Sequence, residues 1–254
     1  MRLVWLTTLA ALVATACVTT EDGEDKSKAS LDDAAEINYQ LGSQYLRQGD
    51  LKLARERLER SISQNPDLPG AHIALALVYE QTGDVDRANS EYRRALKVAP
   101  KDANALNSYA VFLCKSGRHA EGQRYFLRAA DVPQNLAPEV AYTNAGVCAL
   151  EIPDNAVAES HFRTALTRNP EFADALLQMA VLSLQRDDTL RARAFVARFE
   201  SAHTMTAEAL LLAVRVEKAA GDAAAMTRYA ERLRRNHPDA REAGLLDGVI
   251  NDDG

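Results

Sequence analysis

The sequence predicts an all-α solenoid built from six consecutive helix pairs. Three observations predict it. Small, aromatic and turn-forming residues recur every 34 positions. Ala and Leu dominate the apolar residues, with one Trp and six Phe, which suits close helix packing. Between the recurring residues the hydropathy has a helical period: in residues 86–98 (DRANSEYRRALKV), Ala88, Tyr92, Ala95 and Leu96 share one face. Composition narrows the function classes. The 254 residues carry 30 Lys and Arg against 36 Asp and Glu, a formal charge of −6. That acidic balance argues against nucleic acid as a partner, since such binders need a basic surface to displace phosphate counterions. Three cysteines without C-x-x-C spacing exclude zinc-ribbon and iron–sulfur frameworks. A chain of this length can bury a core without disulfides or a metal.

Residues 1–16 (MRLVWLTTLAALVATA) read as a signal peptide. Arg2 supplies the positive start and Leu3 to Val13 an apolar run, too short to cross a bilayer core about 30 Å thick. Ala14-Thr15-Ala16 before Cys17 resembles a bacterial lipobox, in which signal removal leaves an acylated N-terminal cysteine. Ala14 departs from the usual Leu, and Ala14-x-Ala16 also fits ordinary signal cleavage, which would leave Cys17 free in a secreted protein. Val18 after the cysteine, in place of Asp, resembles the outer-membrane side of the enterobacterial sorting rule. Residues 17–33 are then a lipidated cysteine and a flexible acidic tether. As a coil, residues 18–33 would reach roughly 20–25 Å.

The repeats occupy residues 34–240. Gly42, Tyr45, Gly49, Ala54, Leu58 and Pro66 return as Ala76, Tyr79, Gly83, Ala88, Tyr92 and Pro100, then as Ala110, Leu113, Gly117, Gly122 and Phe126. A short insertion near Pro133 and Pro138 resets the frame. The pattern resumes as Gly146, Ala149, Pro153, Ala158, Phe162 and Pro170, then Ala180, Ser183, Asp187, Ala192 and Val196, then Val214, Glu217, Gly221, Met226, Ala230 and Pro238. The small residues let paired helices approach, the glycines end helices in the left-handed conformation, and the prolines stop each second helix. This is the tetratricopeptide (TPR) pattern. The repeats span 35–68, 69–102, 103–138, 139–172, 173–206 and 207–240, and residues 241–254 read as a C-terminal cap, which solenoid ends require.

TPR stacks coil into a right-handed superhelix whose concave groove holds peptides or helices of other proteins. The groove places select Tyr39 and Leu46 in repeat one, Ile73 and Leu77 in repeat two, Asn104, Asn107 and Val111 in repeat three, and Val140 and Val147 in repeat four. This surface is apolar and lacks the lysines of a carboxylate clamp. It suits a hydrophobic peptide or strand, with Asn104 and Asn107 pairing its backbone. An equally weighted reading puts any one of these apolar residues in the core.

Cys114 and Cys148 fall on first helices of adjacent repeats, so their side chains could meet. In an oxidising compartment they would then form a disulfide, worth about 3–4 kcal/mol in the chain-entropy model. The alternative is two inert buried cysteines. No enzyme motif emerges: the five histidines (72, 119, 161, 203 and 237) are scattered, with no H-E-x-x-H, G-x-S-x-G or phosphate-cradling loop. No metal, cofactor or small-molecule substrate is expected. Asp187-Asp188 reads as a solvated turn and cap, and residues 228–235 (RYAERLRR) as a solvated helix face.

Together these features resemble the type IV pilus biogenesis/stability lipoprotein family of PilF and PilW. The resemblance covers nearly the whole mature chain and is most specific in residues 107–130 (NSYAVFLCKSGRHAEGQRYFLRAA), 142–150 (YTNAGVCAL), 172–180 (FADALLQMA) and 229–243 (YAERLRRNHPDAREA). The chain departs from the family where Trp or a second aromatic often stands near Val111, and at Asp187, where Gly is usual. The resemblance implies a non-catalytic pilotin, held at the outer membrane and facing the periplasm. It would bind the pilus secretin through early-repeat surfaces and promote secretin multimerisation and pilus stability. It also implies a disulfide in some members between cysteines placed like Cys114 and Cys148. A general periplasmic TPR scaffold for cell-wall hydrolases or outer-membrane assembly factors is the alternative.

Overall fold

The computed structural model describes residues 21–152 and 155–251. The signal segment, Cys17 and its acylation, residues 18–20, Pro153 and residues 252–254 lie outside the described residues. Among the described residues there are thirteen helices and no strand. They are α1 (Glu21–Gln48), α2 (Leu51–Gln64), α3 (Pro69–Gln81), α4 (Val85–Val98), α5 (Ala103–Lys115), α6 (His119–Ala130), α7 (Pro138–Leu150), α8 (Asn155–Arg168), α9 (Ala173–Gln185), α10 (Thr189–Ala202), α11 (Ala207–Ala219), α12 (Ala223–Asn236) and α13 (Arg241–Asn251). They form two compact units, one ending at Pro66 and one starting at Asp67. None of the described helices is long and apolar enough to cross a membrane.

The first unit is the pair α1/α2. Gly42 permits its closest approach: a Cβ there would lie 2.6 Å from Cγ of Leu58. The Ser61 hydroxyl donates to the Ala35 carbonyl at 2.7 Å, and the Asn38 amide to Gln64 Oε1 at 2.9 Å. One expectation is corrected here. The segment read as flexible coil is helical from Glu21 onward. Low hydrophobicity argues that such a segment cannot order itself by burial. It does not stop a helix already nucleated by packing from extending outward, because each added residue costs far less than the first turn.

The second unit repeats the same pair five times, as α3/α4 through α11/α12, and closes with α13. Each first helix also packs on the next first helix, α3 on α5, α5 on α7, α7 on α9 and α9 on α11. The recurring residues are the ones buried at these crossings: Ala76, Tyr79, Ala88 and Tyr92; Ala110, Leu113 and Phe126; Ala149, Ala158 and Phe162; Ala180, Ala192 and Val196. Each is at most 7% exposed. From Ala149 to Leu246 they merge into one continuous core. Around α5 to α7 two smaller clusters, Ala110/Phe126/Ala145/Cys148 and Leu106/Ala129/Ala141, lie apart from it. The cap helix α13 packs on α11 and α12 and fully buries Leu246.

The turns inside the pairs show how the marker residues work. Gly221 holds φ at 73°, and Asp187 occupies the matching place at φ 58°. Asp187 therefore sits in the left-handed region with a side chain, which costs more than glycine there. Its neighbour Asp188 caps α10, accepting the Arg191 N–H at 3.0 Å. Asp50, Asp84, Asp102, Thr206 and Asp222 cap their helices in the same way. The insertion in the repeat frame falls in the loop between α6 and α7. Asn135 organises it, donating to the Ala129 carbonyl at 2.8 Å and accepting the Ala137 N–H at 3.0 Å.

Candidate peptide-binding groove

Helix α5 buries Leu106, Tyr109, Ala110 and Leu113. Tyr109 fixes that face further, with its ring edge-on to Tyr125 at 4.9 Å and its hydroxyl donating to Asn89 Oδ1 at 2.9 Å. The opposite stripe, Asn104, Asn107, Val111 and Cys114, is left outside the core at helical spacing. Helix α7 does the same: Ala141, Ala145, Cys148 and Ala149 are buried, while Val140, Asn144, Val147 and Glu151 form its outer stripe. The two stripes run side by side. Asn144 Nδ2 donates to Asn107 Oδ1 at 3.0 Å, joining them midway.

Two cavities lie along this seam. One, of about 420 Å³, is lined by Asn104, Asn107, Val140 and the inserted loop, where Leu136 stands 97% exposed. The other, of about 520 Å³, is lined by Val111, Asn144, Val147, His119 and the Cys114–Cys148 disulfide. The seam therefore offers apolar walls with an amide pair at its centre. That bond uses neither the Asn107 amide N–H groups nor the Asn144 carbonyl oxygen, a donor and an acceptor of the kinds an extended backbone can pair with. Val147 is 39% and Val140 36% exposed, enough apolar surface to gain by being covered.

The disulfide joins α5 and α7 at one end of the seam, from Cys114 of the α5 stripe to the buried Cys148, with their Cα atoms 5.8 Å apart. Gly122 on α6 makes room for it. A Cβ at this position would lie 2.3 Å from Cys114 Sγ and 3.0 Å from the Ala110 carbonyl oxygen. The equivalent place is Ala54, Ala88, Ala158 or Ala192 in four other repeats and Met226 in the sixth, so the glycine goes with the disulfide. His119, the first residue of α6, completes this end. Its ligand nitrogen and the two sulfurs lie within 4.8 Å of one another. The Nδ1 atom of His119 is buried and has no hydrogen-bond partner.

Five of the nine sequence-selected groove residues, Asn104, Asn107, Val111, Val140 and Val147, come together here. Ile73 does not: it is 7% exposed and belongs to the core, which corrects its assignment. The physical reason is that α3 is apolar all round, with every residue from Ala71 to Ala76 buried, so no face of it could be singled out by pattern. Leu77 on the same helix is half-buried and lines neither cavity. Tyr39 and Leu46 are half-buried on α1 of the first unit, where Tyr39 lines a separate cavity with Ile37, Ser43 and Arg47. Sequence reasoning missed Leu136, Asn144 and His119. The break in the 34-residue frame was the one signal for Leu136.

Comparison with known proteins agrees with this architecture. The tetratricopeptide repeat family matches residues 45–107. The type IV pilus assembly protein PilF of Pseudomonas aeruginosa is 30% identical over 237 residues, covering 92% of this chain and 93% of its own. The chain belongs to the type IV pilus TPR protein family. Two solved members share its fold. PilW, described as a widely conserved type IV pilus biogenesis factor, aligns with a TM-score of 0.71 at 28% identity, over 84% of this chain and 97% of that one. Pseudomonas aeruginosa PilF aligns with a TM-score of 0.69 at 27% identity, over 86% and 99%. The family is one of all-α TPR solenoids, and TPR proteins as a class bind other proteins.

Proposed function

We propose that this chain is a non-catalytic adaptor of type IV pilus biogenesis, acting as a pilotin for the pilus secretin. In this reading Cys17 is acylated and holds the chain at the outer membrane, facing the periplasm. The seam between α5 and α7 takes an extended apolar segment of the secretin, and its capture promotes secretin localisation and multimerisation. The observation that carries the reading is the joined pair of stripes, Asn107 with Asn144 and Val111 with Val147, in a chain similar to PilF over nearly its whole length. The apolar walls supply affinity and the amide pair supplies register.

The test is co-purification from outer membranes of a piliated strain, with three versions of the chain. The wild type is expected to bring down the secretin. Replacing Val111 and Val147 together by Glu is expected to reduce recovery at least tenfold, since an uncompensated charge would have to be desolvated on binding. Cys17→Ser is expected to leave the chain out of the membrane fraction and the secretin monomeric or misplaced. Secretin recovery unaffected by the double substitution would sink the groove assignment. Recovery of cell-wall hydrolases without secretin would select the scaffold reading instead.

A further inference from the structure

We propose that, when its thiols are reduced, the Cys114–Cys148 pair and His119 form a binding site for one zinc-type divalent ion. Three observations converge on it. A ring nitrogen of His119 lies within 4.8 Å of both sulfurs of the disulfide, so all three ligand atoms are neighbours once the S–S bond is reduced. Nδ1 of His119 is buried and unpartnered, a state that the protein leaves to few polar atoms. The sulfurs and His119 line an open cavity of about 520 Å³, so an ion has a path in and water has room in the fourth position.

The chemistry fits a borderline-soft ion. Zinc holds thiolates at about 2.3 Å and imidazole at about 2.0–2.1 Å, which places two bound sulfurs about 3.8 Å apart in a tetrahedral shell. Cα atoms 5.8 Å apart allow that separation by side-chain rotation alone. The site is assembled from α5, the start of α6 and α7, so no short sequence spacing announces it. Its formation balances as follows. A dithiol or phosphine reductant takes up the disulfide's oxidising equivalents, giving two thiols. The divalent ion then displaces one proton from each thiol, and neutral His119 contributes a nitrogen lone pair. The ion and the disulfide are mutually exclusive, because each needs both sulfurs.

Cobalt(II) is the probe, since thiolate ligation gives it near-ultraviolet charge-transfer bands and a tetrahedral shell gives it visible bands. The full folded domain is reduced, freed of reductant without oxygen and titrated. One cobalt per chain with both sets of bands, displaced by zinc and accompanied by release of two protons, is expected; the oxidised chain should show none. His119→Gln should weaken binding by more than about tenfold, as loss of one of three protein ligands implies. Replacing both cysteines by Ser should abolish the bands. Far-ultraviolet circular dichroism guards against unfolding: if reduction lowers helicity, zinc must restore it. No thiolate–cobalt band in the reduced chain, unchanged affinity in His119→Gln, or helicity lost and not regained with zinc would each overturn the proposal.

Discussion

The junction between α5 and α7 and the region from α8 to α12 are built from the same repeat but held together differently. From Ala149 onward one unbroken apolar core runs to Leu246, with Phe162, Leu176 and Leu210 fully buried. At the α5/α7 junction two smaller clusters of buried residues lie apart from that core, and a disulfide, a glycine and an inserted loop stand beside them. The difference teaches that an exposed apolar seam is incompatible with maximal burial. Val140 and Val147 leave 36% and 39% of their surface exposed, area that does not stabilise the fold, and a covalent bond holds the seam's walls in place.

Breaking the continuous core should have the largest effect. Phe162→Ala removes a fully buried ring that packs on Gly146, and is expected to cost about 3–5 kcal/mol. Chemical denaturation should show this as a lower midpoint at nearly unchanged slope. Removing the disulfide with Cys114→Ser and Cys148→Ser should cost about 3–4 kcal/mol by loss of the loop constraint. Hydrogen exchange separates the two regions: protection should fall in α5 to α7 and persist in α9 to α12. If both regions lose protection alike, the contrast between them is wrong.

A subtler break is Gly122→Ala. It restores the residue found at this place in four of the other repeats, yet its Cβ would sit 2.3 Å from Cys114 Sγ. The expected cost is about 1–3 kcal/mol from overpacking, reduced when Cys114 is Ser because the sulfur contact goes, while the 3.0 Å approach to the Ala110 carbonyl oxygen remains. Additive costs in that double substitution would refute the link between glycine and disulfide.

The smallest effect sharpens the contrast from the other side. Glu159 on α8 accepts from Arg163 at 2.7 Å and pairs with Arg186 and, at 3.4 Å, with Arg191, tying α8, α9 and α10 by charge. The Arg163 hydrogen bond leads the causes that hold its carboxyl below the ordinary 4.5, with Arg186 adding to it against the opposing effect of burial. A carboxylate depressed in the folded state stabilises the fold fully above its unfolded value and loses that contribution as pH falls through the folded one. Glu159→Gln should therefore lower stability by up to about 1 kcal/mol at neutral pH, with the gap to wild type closing below about pH 4.5. A gap independent of pH would mean that Glu159 acts by packing.

The fold was legible because its rule is local and repeated. Each Gly or Asp turn, each crossing alanine and each aromatic plug announces itself at a constant interval, and each is buried or turned as its type requires. The candidate groove was half legible. Asn104, Asn107, Val111 and Val147 follow from repeat position alone, since their neighbours on α5 and α7 are well patterned. Ile73 was not, because α3 has no polar face to mark its outside. Asn144 and His119 act through partners on other helices, at Asn107 and at the two sulfurs, and such pairings depend on how helices stack. Nor does composition reveal that the polar segment after residue 20 continues a packed helix.

That helix has a mechanical meaning. Residues 21–33 extend α1 by about 20 Å at 1.5 Å per residue, close to the mean span of the coil it replaces. A coil of that reach limits only how far its two ends can drift apart. A rod also transmits rotation, so whatever grips the chain ahead of Glu21 would steer the α1/α2 pair and not merely leash it.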